Sequence, residues 1–520
     1  MRSRLLRRLS HLLGVAEYSQ QHGIPAAEAL EIAAASRPSR REFLATSAAA
    51  AFPSRSGGAA PSIDVGVVGA GLAGLTCADQ LKKGGVLATL YDAAGRSGGR
   101  CWSLRNFFPG QVAERGGEFI DNPHKTMIAY AREFGLALEN VLRQPGEARY
   151  FFGGQLFPES VVVDEYRALV SAMQADLRGL SSEITAASHT PQDALLDNIN
   201  LLEYLETRGA GRVIRAALLA AYTAEYGLSP EQQSCLNFLL FAHADRRSKF
   251  RPFGVFSDER YHVIGGNDAI VTGLTARLNT QIRLGRRLVK AGKTSAGRIE
   301  LTFQQGNRSV TAAHDAVVLT LPFTVLRGIE LEPNLGLPPA KILAIQQLGY
   351  GTNAKMMVGF GSRPWFAVHG SNGASDSDLP NHQSTWETNP AAAAPARAIL
   401  TDYSGAQRGA ALNPAKPQAE AARFLADLDR VYPGALAAAS RDARGNFTVH
   451  LEHWPSNPLT LGSYTCYRPS QFTTIAGNEG TPVGNLFFAG EHADSFYQWQ
   501  GFMEGACLSG IAAAGAILSR

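Results

Sequence analysis

Cysteine is scarce in this sequence: 520 residues contain five, and no two of them form a Cys-x-x-Cys pair. Scattered cysteines of this kind exclude a zinc-ligand pattern and a disulfide framework. We therefore predict no metal site and interpret the cysteines as small buried apolar residues, which is how free cysteine usually behaves. They are Cys77, Cys101, Cys235, Cys466 and Cys507.

Charge is also limited, because Asp, Glu, Lys and Arg make up only 18% of the chain. The formal net charge is +4, and residues 1–60 carry all of it, since they hold eight arginines and four glutamates. Residues 61–520 are thus balanced and show no electrostatic footprint for nucleic acid or an anionic membrane. No apolar run reaches the roughly 20 residues of a membrane helix, so we predict no stable membrane span.

The basic balance belongs to a predicted leader, residues 1–60. Arg40-Arg41 stands just before a short, alanine-rich apolar stretch, Leu44–Phe52. Paired arginines in this setting resemble the twin-arginine export signal of bacteria. We predict export by the twin-arginine machinery to the periplasm or outside the cell; the alternative is a basic turn before a helix. The 39 residues before the pair are amphipathic and long for such a leader.

The hydrophobic pattern after the leader predicts a strand, a helix and a second strand, at 63–68, 72–83 and 86–91. Helical patterns dominate from 160 to 245, a strand is predicted at 282–289, and a last strand leads into a C-terminal helix. This order predicts a discontinuous dinucleotide-binding domain with an inserted mixed α+β substrate domain. The predicted boundaries are 61–150, 250–330 and 456–520 for the first domain, and 151–249 and 331–455 for the second.

A glycine triplet, Gly69-x-Gly71-x-x-Gly74, lies between the first predicted strand and helix. The first glycine permits a tight turn, the second lets a pyrophosphate approach the backbone, and the third lets the helix pack on the strand. Asp92 closes the next strand, 18 residues after Gly74, where an acid binds the ribose hydroxyls of the adenosine. Together these features predict dinucleotide binding, but they do not separate FAD from NAD.

The segment after Asp92 distinguishes FAD from NAD. It is Arg96-Ser97-Gly98-Gly99-Arg100, and two guanidinium groups on a glycine-rich turn are suited to neutralise a pyrophosphate. Here the chain resembles the flavin amine oxidases, the family of monoamine, polyamine and L-amino acid oxidases. The alternative is a surface turn with two solvated arginines.

Two further blocks extend the resemblance. Glu114–Ile120 matches a block whose paired glycines, here including Gly117, let the backbone pass close to the flavin ring. Residues 486–510 resemble the C-terminal signature, whose glutamate, here Glu491, meets the ribityl or pyrophosphate region. The resemblance implies an α/β fold with a glutathione-reductase-like Rossmann domain that binds FAD. The predicted cofactor-binding residues are Gly69, Gly71, Gly74, Asp92, Arg96, Gly98, Gly99, Arg100, Gly117, Val289, Gly490, Glu491 and Phe502.

The resemblance also implies roles in catalysis. Ser463 stands where some monoamine oxidases have a cysteine bound to the flavin, and because a serine hydroxyl is a poor nucleophile without a base, we predict non-covalent FAD. Tyr464 and Phe502 match two aromatic positions that flank the substrate amine, although tyrosine is common at the second. Lys355, a lone charge in an apolar strand pattern, matches a lysine that holds a water near flavin N5. The alternatives are ordinary core aromatics and a strand lysine whose amine reaches solvent.

The substrate is less well indicated. Gly116-Gly117 is followed by Glu118, not by the arginine with which L-amino acid oxidases usually bind a carboxylate, and this weighs against α-amino acids. Glu118, Asp121 and Glu225 are candidate acids for a distal ammonium group. Trp365 and Trp499 could line the pocket, with packing as the simpler interpretation, and His492 is interpreted as a packing or flavin-edge residue.

The predicted reaction is oxidative deamination of a primary or secondary amine, with FAD as cofactor, oxygen as acceptor and hydrogen peroxide as product. Two alternatives stay open. One is a dehydrogenase or desaturase of the same fold that passes electrons to a quinone or a protein, and the other is a flavin-binding protein without catalysis. A homodimer is possible, and nucleic acid is not an expected partner.

Overall fold

The structure is a computed structural model that describes residues 4–35, 63–181, 183–247, 259–389, 397–493 and 499–520. The helices are α1 (Arg4–His22), α2 (Ala26–Ala35), α3 (Leu72–Lys83), α4 (Lys125–Glu133), α5 (Glu159–Gly179), α6 (Pro191–Asp197), α7 (Leu201–Thr207), α8 (Arg212–Tyr226), α9 (Leu236–Arg247), α10 (Asp268–Arg277), α11 (Phe323–Leu326), α12 (Pro339–Gln347), α13 (Pro364–Ala367), α14 (Ala406–Ala411), α15 (Pro417–Val431), α16 (Ala435–Ala438), α17 (Gln471–Thr474) and α18 (Met503–Leu518).

The strands form five sheets within the described residues. They are β1 (Val65–Val68), β2 (Ala88–Tyr91), β3 (Ser103–Phe108), β4 (Gln111–Glu114), β5 (Leu138–Asn140), β6 (Glu147–Phe152), β7 (Gln155–Phe157), β8 (Tyr261–Val263), β9 (Ile282–Arg283), β10 (Arg287–Lys293), β11 (Ile299–Gln305), β12 (Arg308–His314), β13 (Ala316–Leu319), β14 (Glu330–Leu331), β15 (Ala354–Phe360), β16 (Ser371–Ser377), β17 (Ser384–Glu387), β18 (Ala398–Ser404), β19 (Val449–His453) and β20 (Leu486–Phe488).

A parallel sheet with the order β20-β13-β1-β2-β9 carries the glycine turn. Its central strands β1 and β13 are buried along their whole length, as is typical of parallel strands covered on both faces. Helix α3 follows β1, and α18 packs along α3. Their closest approach is at Gly510, where a Cβ atom would lie 2.3 Å from the Ala73 carbonyl oxygen. The predicted strand, helix and strand are present here.

A seven-stranded sheet with the order β19-β15-β18-β17-β16-β6-β7 forms the second part of the molecule. Its neighbouring strands are antiparallel except β6 and β16. Met356 and Val358 of β15 join a core with Phe424 and Leu428 of α15. Because side chains alternate along a strand, Lys355 points to the other face, toward the nucleotide-binding part.

The predicted strand 282–289 is wrong as a single element. Its residues divide into β9, at the edge of the parallel sheet, and the start of β10, in a separate four-stranded sheet. Gly285 lies between them with φ of +68°. This left-handed conformation is one that glycine adopts easily, and it turns the chain out of the first sheet.

Helices α1 and α2 pack onto the second part of the molecule. Leu9, Leu12 and Leu13 are buried in the core that α5 and α8 share, and Arg8 forms an ion pair with Glu159 of α5. Residues 4–35 of the predicted leader thus pack against the rest of the chain. Arg40 and Arg41 lie outside the described residues, and none of the described helices is long and apolar enough to cross a membrane.

Candidate active site

The glycine turn between β1 and α3 is shaped to receive a phosphate group. Gly69 has φ of +108°, and a Cβ atom at Gly74 would lie 1.9 Å from the Gly69 carbonyl oxygen. A Cβ atom at Gly71 would instead meet nothing within 4 Å among the described atoms, so a ligand can approach the backbone there. Gly71 is the N-cap of α3 and has no side chain to occupy the first-turn N–H groups, which therefore favour an anion.

Asp92 is fixed to the same turn. Its carboxylate accepts hydrogen bonds from the backbone N–H groups of Ala70 at 2.7 Å and Ala94 at 2.8 Å. Burial raises the pKa of Asp92, and these two hydrogen bonds oppose that shift. The predicted ribose-binding acid thus lies next to the predicted phosphate-binding backbone.

The arginine turn packs directly on the glycine turn. Gly98 forms a parallel bridge with Gly71, and a Cβ atom at Gly99 would lie 3.4 Å from the Gly71 Cα atom. Gly98 and Gly99 have φ of +108° and +56°, so both favour glycine. Arg96 donates hydrogen bonds to backbone carbonyls within its own turn. Two motifs that are separate in the sequence therefore form one cradle.

Arg100 connects this cradle to the C-terminal motifs. Its Nη1 atom donates to the Ser463 carbonyl at 2.5 Å and to Glu491 Oε1 at 2.9 Å. The other oxygen of Glu491 accepts hydrogen bonds from the Thr465 hydroxyl and the Gly501 N–H, both at 2.9 Å. Burial alone would raise the pKa of Glu491, but the charge of Arg100 and these hydrogen bonds hold it below its ordinary value. Glu491 is thus ionised and connects three segments of the chain, those that contain Arg100, Thr465 and Gly501.

The cradle fits a flavin dinucleotide. The glycine turn, Asp92 and the arginine turn would hold the pyrophosphate and adenosine ribose, and Glu491 would reach the flavin side. Gly490, with φ of +137°, makes the turn that leads into Glu491. Val289 lies on β10 and is 37% exposed, beside a register shift between Leu288 and Lys290.

Lys355 is fully buried, with a relative exposure of 1%. Its Nζ atom donates to Glu118 Oε2 at 2.6 Å, to the Gly116 carbonyl at 2.9 Å and to the Glu114 carbonyl at 3.2 Å. The alternative in which the amine reaches solvent is therefore wrong. Lys355 instead contacts the Glu114–Ile120 block, whose glycines the resemblance places beside the flavin.

Glu118 is the charged partner of Lys355. Its second carboxylate oxygen accepts a hydrogen bond from Trp386 Nε1 at 2.8 Å, and the residue has no solvent exposure. The prediction that Glu118 binds a distal ammonium group of the substrate is corrected here, because its charge is already compensated within the protein.

An aromatic cluster lies next to this ion pair. It contains Phe119, Trp386, Tyr403 and Tyr464, with Val141 and Ala224. The hydroxyls of Tyr403 and Tyr464 are 2.9 Å apart, and Tyr464 also donates to the Glu225 carbonyl. Burial is the main cause that raises the pKa of Tyr403, and the nearby carboxylates of Glu225, Glu118 and Glu259 add to the shift. These buried phenols are therefore neutral.

Phe502 begins α18 as its N-cap residue. Its ring lies 5.0 Å from that of His124 and 6.1 Å from that of Trp499. Thr465 and Gly501 both donate hydrogen bonds to Glu491. Tyr464 and Phe502, the two residues predicted to flank the substrate amine, are their immediate neighbours in the sequence. Of the other candidate acids, Asp121 accepts the Glu259 N–H at 2.8 Å, and Asp121 and Glu225 are both buried.

Ser463 is held by a neighbouring amide. Its hydroxyl donates to Asn353 Oδ1 at 2.6 Å, and an amide is not a base that would activate it. Cys466, three residues after Ser463, is buried, and burial raises the pKa of its thiol. All five cysteines are free and buried, as predicted.

Two weaker candidates are packing residues. Trp365 belongs to the core between β15 and α15, on the face opposite Lys355, in agreement with its interpretation as a packing residue. His492 is buried with its ring 4.4 Å from that of Phe323, and burial lowers its pKa to about 4. The imidazole of His492 is therefore neutral.

Trp386, Tyr403 and Asn267 are site residues that sequence reasoning missed. The Asn267 side chain donates to the carbonyls of Gly117 and Glu118, at 3.0 and 2.7 Å, and fixes that block. Strands β17 and β18 are buried at every position, so they show no alternation that would mark the face carrying Trp386 and Tyr403.

Comparison with known proteins agrees with the resemblance to the flavin amine oxidases. Residues 72–518 match the family described as flavin containing amine oxidoreductase. The putative L-amino-acid oxidase YobN of Bacillus subtilis (strain 168) is 25% identical over 474 residues, covering 86% of this chain and 93% of that protein. The L-amino-acid oxidase of Naja atra is 24% identical over 473 residues, covering 86% of each chain.

Solved structures agree on the fold. Cyclohexylamine oxidase from Brevibacterium oxydans IH-35A superposes with a TM-score of 0.73 at 21% identity, over 88% of this chain and 99% of that one. Wild-type putrescine oxidase bound to putrescine gives a TM-score of 0.72 at 19% identity, with the same coverage. The predicted architecture, a Rossmann FAD-binding domain with an added substrate domain, is confirmed.

Proposed function

Because the chain belongs to the flavin-containing amine oxidoreductase family, we propose that it is an FAD-dependent oxidase of a primary or secondary amine. Oxygen would be the electron acceptor, and the products would be an imine or its aldehyde and hydrogen peroxide. One observation carries the proposal. The buried amine of Lys355 meets the Gly116 carbonyl, beside the predicted flavin site, and lies 5.7 and 5.8 Å from the rings of Trp386 and Tyr403.

The side chains would divide the work as follows. The glycine and arginine turns bind the cofactor, with Arg100 and Glu491 fixing the end nearest the pocket. The rings of Tyr464 and Phe502 orient the amine so that its α C–H bond faces the flavin. Bound FAD supplies the electron-accepting chemistry, and the protein supplies position and electrostatics. With Ser463 hydrogen-bonded to an amide, we propose that FAD is held without a covalent bond.

A substrate without a carboxylate fits this pocket best. Glu118 stands after Gly117, its charge is paired with Lys355, and the buried carboxylates of Glu225 and Glu259 lie near Tyr403. A carboxylate substrate would add negative charge to this set. The L-amino-acid oxidases among the relatives make α-amino acids the competing substrate class.

The decisive experiment is an anaerobic panel of amines and L-amino acids, read by the loss of flavin absorbance, followed by mixing with oxygen and assay of peroxide. We expect an amine to bleach the flavin and oxygen to restore its colour with stoichiometric peroxide. Bleaching by α-amino acids alone would reverse the substrate assignment. Bleaching without peroxide would favour the dehydrogenase alternative, and no bleaching would favour the non-catalytic one. A colourless pellet after acid precipitation is expected for non-covalent FAD.

We also propose twin-arginine export, to the periplasm or outside the cell, on the strength of Arg40-Arg41 and the apolar stretch after it. Replacement of both arginines by lysine should leave the folded, flavin-loaded enzyme in the cytoplasm. Unchanged distribution between cell fractions would contradict export by this route.

A further inference from the structure

We propose that Glu118 is a positioning residue for Lys355, and that the two form a neutral unit on which the oxygen half-reaction depends. The inference rests on the proposed oxidase function. It assigns Glu118 a role other than substrate binding. It also links that role to Trp386, which is part of the aromatic cluster.

The three N–H donors of the Lys355 ammonium have three acceptors: the carbonyls of Glu114 and Gly116 and the carboxylate of Glu118. Both side chains are buried, at 1% and 0% exposure. A buried charge is costly unless it is paired and hydrogen-bonded. Glu118 therefore compensates the charge of Lys355 and helps to direct its amine at the Gly116 backbone.

Trp386 connects the Glu118–Lys355 pair to the aromatic cluster. Its indole N–H donates to Glu118 at 2.8 Å, while its ring packs against those of Phe119 and Tyr403 at 5.7 and 5.4 Å. The geometry thus links the position of Glu118, and through it the Lys355 amine, to the packing of the aromatic cluster.

The proposed role in the oxygen half-reaction follows from the positive charge of Lys355. Bound reduced FAD would supply the two electrons and two protons that convert oxygen to hydrogen peroxide, and negative charge would develop on oxygen before both protons arrive. A fixed cation near that point stabilises the charge. Without Glu118, the Lys355 ammonium would retain only backbone acceptors and would lose its position. Without Lys355, Glu118 would be a buried, unpaired anion.

The same sheet offers a matched control. Glu387, the residue after Trp386 on β17, accepts hydrogen bonds from Trp365 Nε1 at 3.0 Å and Arg363 at 2.8 Å and is fully buried. It repeats the tryptophan, carboxylate and cation arrangement with its hydrogen bonds directed into the opposite face of the sheet. Glu387→Gln therefore reports what loss of a buried carboxylate does to folding alone.

The experiment compares Glu118→Gln, Lys355→Met, the double variant and Glu387→Gln in rapid-mixing measurements of each half-reaction, together with the reduction potential of the bound flavin. We expect Glu118→Gln to slow reoxidation about tenfold or more while reduction by amine changes by less than about threefold. In the double variant it should add less than about twofold to the loss from Lys355→Met, as expected for residues acting as one unit. The reduction potential of the flavin should shift upward in Glu118→Gln, which leaves an unpaired cation, and downward in Lys355→Met, which leaves an unpaired anion. In the double variant, which has neither charge, it should return to the wild-type value.

The proposal is overturned if the losses in the two single variants multiply in the double variant. It is also overturned if Glu118→Gln shifts rates and potential no more than Glu387→Gln does. The proposed oxidase function fails separately, since it fails only when the wild-type flavin is not reduced by any amine. Equal thermal unfolding temperatures for Glu118→Gln and Glu387→Gln would show that the comparison is not confounded by folding.

Discussion

Arg100 shows how a single side chain joins distant segments of this protein. It links the arginine turn to Ser463 and Glu491, more than 360 residues away in the chain. Hydrogen bonds involving charged groups contribute about 1.5–3 kcal/mol each. We expect Arg100→Ala to weaken FAD binding about 10- to 100-fold, measured by titrating apoprotein with FAD. Arg105→Ala, which breaks an ion pair with Asp268 at a more exposed position, is the control and should bind FAD normally.

Glu114 gives a residue-scale prediction about pH. Burial raises its pKa from 4.5 to about 8, against hydrogen bonds from Asn267 and Ser103. Because the folded-state value is raised, the native state holds a proton that the unfolded state releases between these values. The stabilising contribution is therefore complete below pH 4.5 and is lost as pH rises through about 8.

The variant Glu114→Gln lacks this titration. Its unfolding temperature relative to wild type should increase as pH is raised from about 5 to about 8, by a few degrees for a protein of this size. The measurement is thermal unfolding across that range, with the exposed Glu300→Gln as control. A constant difference between wild type and Glu114→Gln would show that Glu114 does not titrate this way.

Some individual residues were predictable because their type conflicts with their surroundings. Lys355 is a lone charge in an apolar strand, and the structure buries it against the Glu114–Ile120 block. Its partner Glu118 was considered only as a substrate-binding acid, because sequence cannot show that a residue 237 positions away supplies the opposite charge. Trp386 was missed because its strand is uniformly buried.

At the scale of elements, the contact between α3 and α18 depends on one glycine. A Cβ atom at Gly510 would lie 2.3 Å from the Ala73 carbonyl oxygen, whereas one at Gly515 on the same helix meets nothing within 4 Å among the described atoms. Gly510→Ala should cost about 1–3 kcal/mol by overpacking and loosen FAD, because Ala73 lies in the first turn of α3, next to the glycine turn. Gly515→Ala should stabilise by about 0.5–1 kcal/mol, as alanine does inside a helix. Thermal unfolding and FAD retention on gel filtration distinguish the two; similar behaviour would exclude helix contact as the reason for Gly510.

Elements whose signals are local were predicted well, and those set by distant contacts were not. The order β1, α3 and β2 follows from apolar runs on either side of a glycine turn. The break between β9 and β10 depends on Gly285, whose left-handed conformation is visible only in the folded chain. The role of Glu504 was also invisible, since it accepts the Thr126 and Met127 N–H groups and so caps α4, another helix.

At the scale of the whole molecule, the N-terminal helices are where sequence and structure differ most. Their amphipathic pattern and the arginine pair after them suggest a leader, yet Val15 and Ala16 are fully buried in the core shared with α5 and α8. A hydrophobic face looks the same in a sequence whether its partner is a membrane, a receptor or a helix 150 residues away. Only the packed chain identifies α5 and α8 as the partners here.

These contacts predict that residues 4–35 stay with the mature enzyme. Removal of residues 1–35 would expose the apolar faces of α5 and α8. In the last turn of α8, the backbone carbonyls of Ala224 and Glu225 accept hydrogen bonds from Asn353 and Tyr464. We expect the truncated protein to aggregate or to unfold at a much lower temperature, with weakened amine binding. Leu12→Ala, a milder change, should cost about 2–5 kcal/mol, whereas the exposed Gln21→Ala should cost almost nothing.

The same contacts bear on processing during export. If a protease cuts the chain after the arginine pair, burial of α1 against α5 and α8 should keep the released peptide bound to the body. Intact-mass analysis of enzyme purified from the periplasm should therefore show either one chain that includes residues 4–35 or two fragments that separate only under denaturing conditions. Fully active enzyme that lacks these residues would mean that their burial is dispensable.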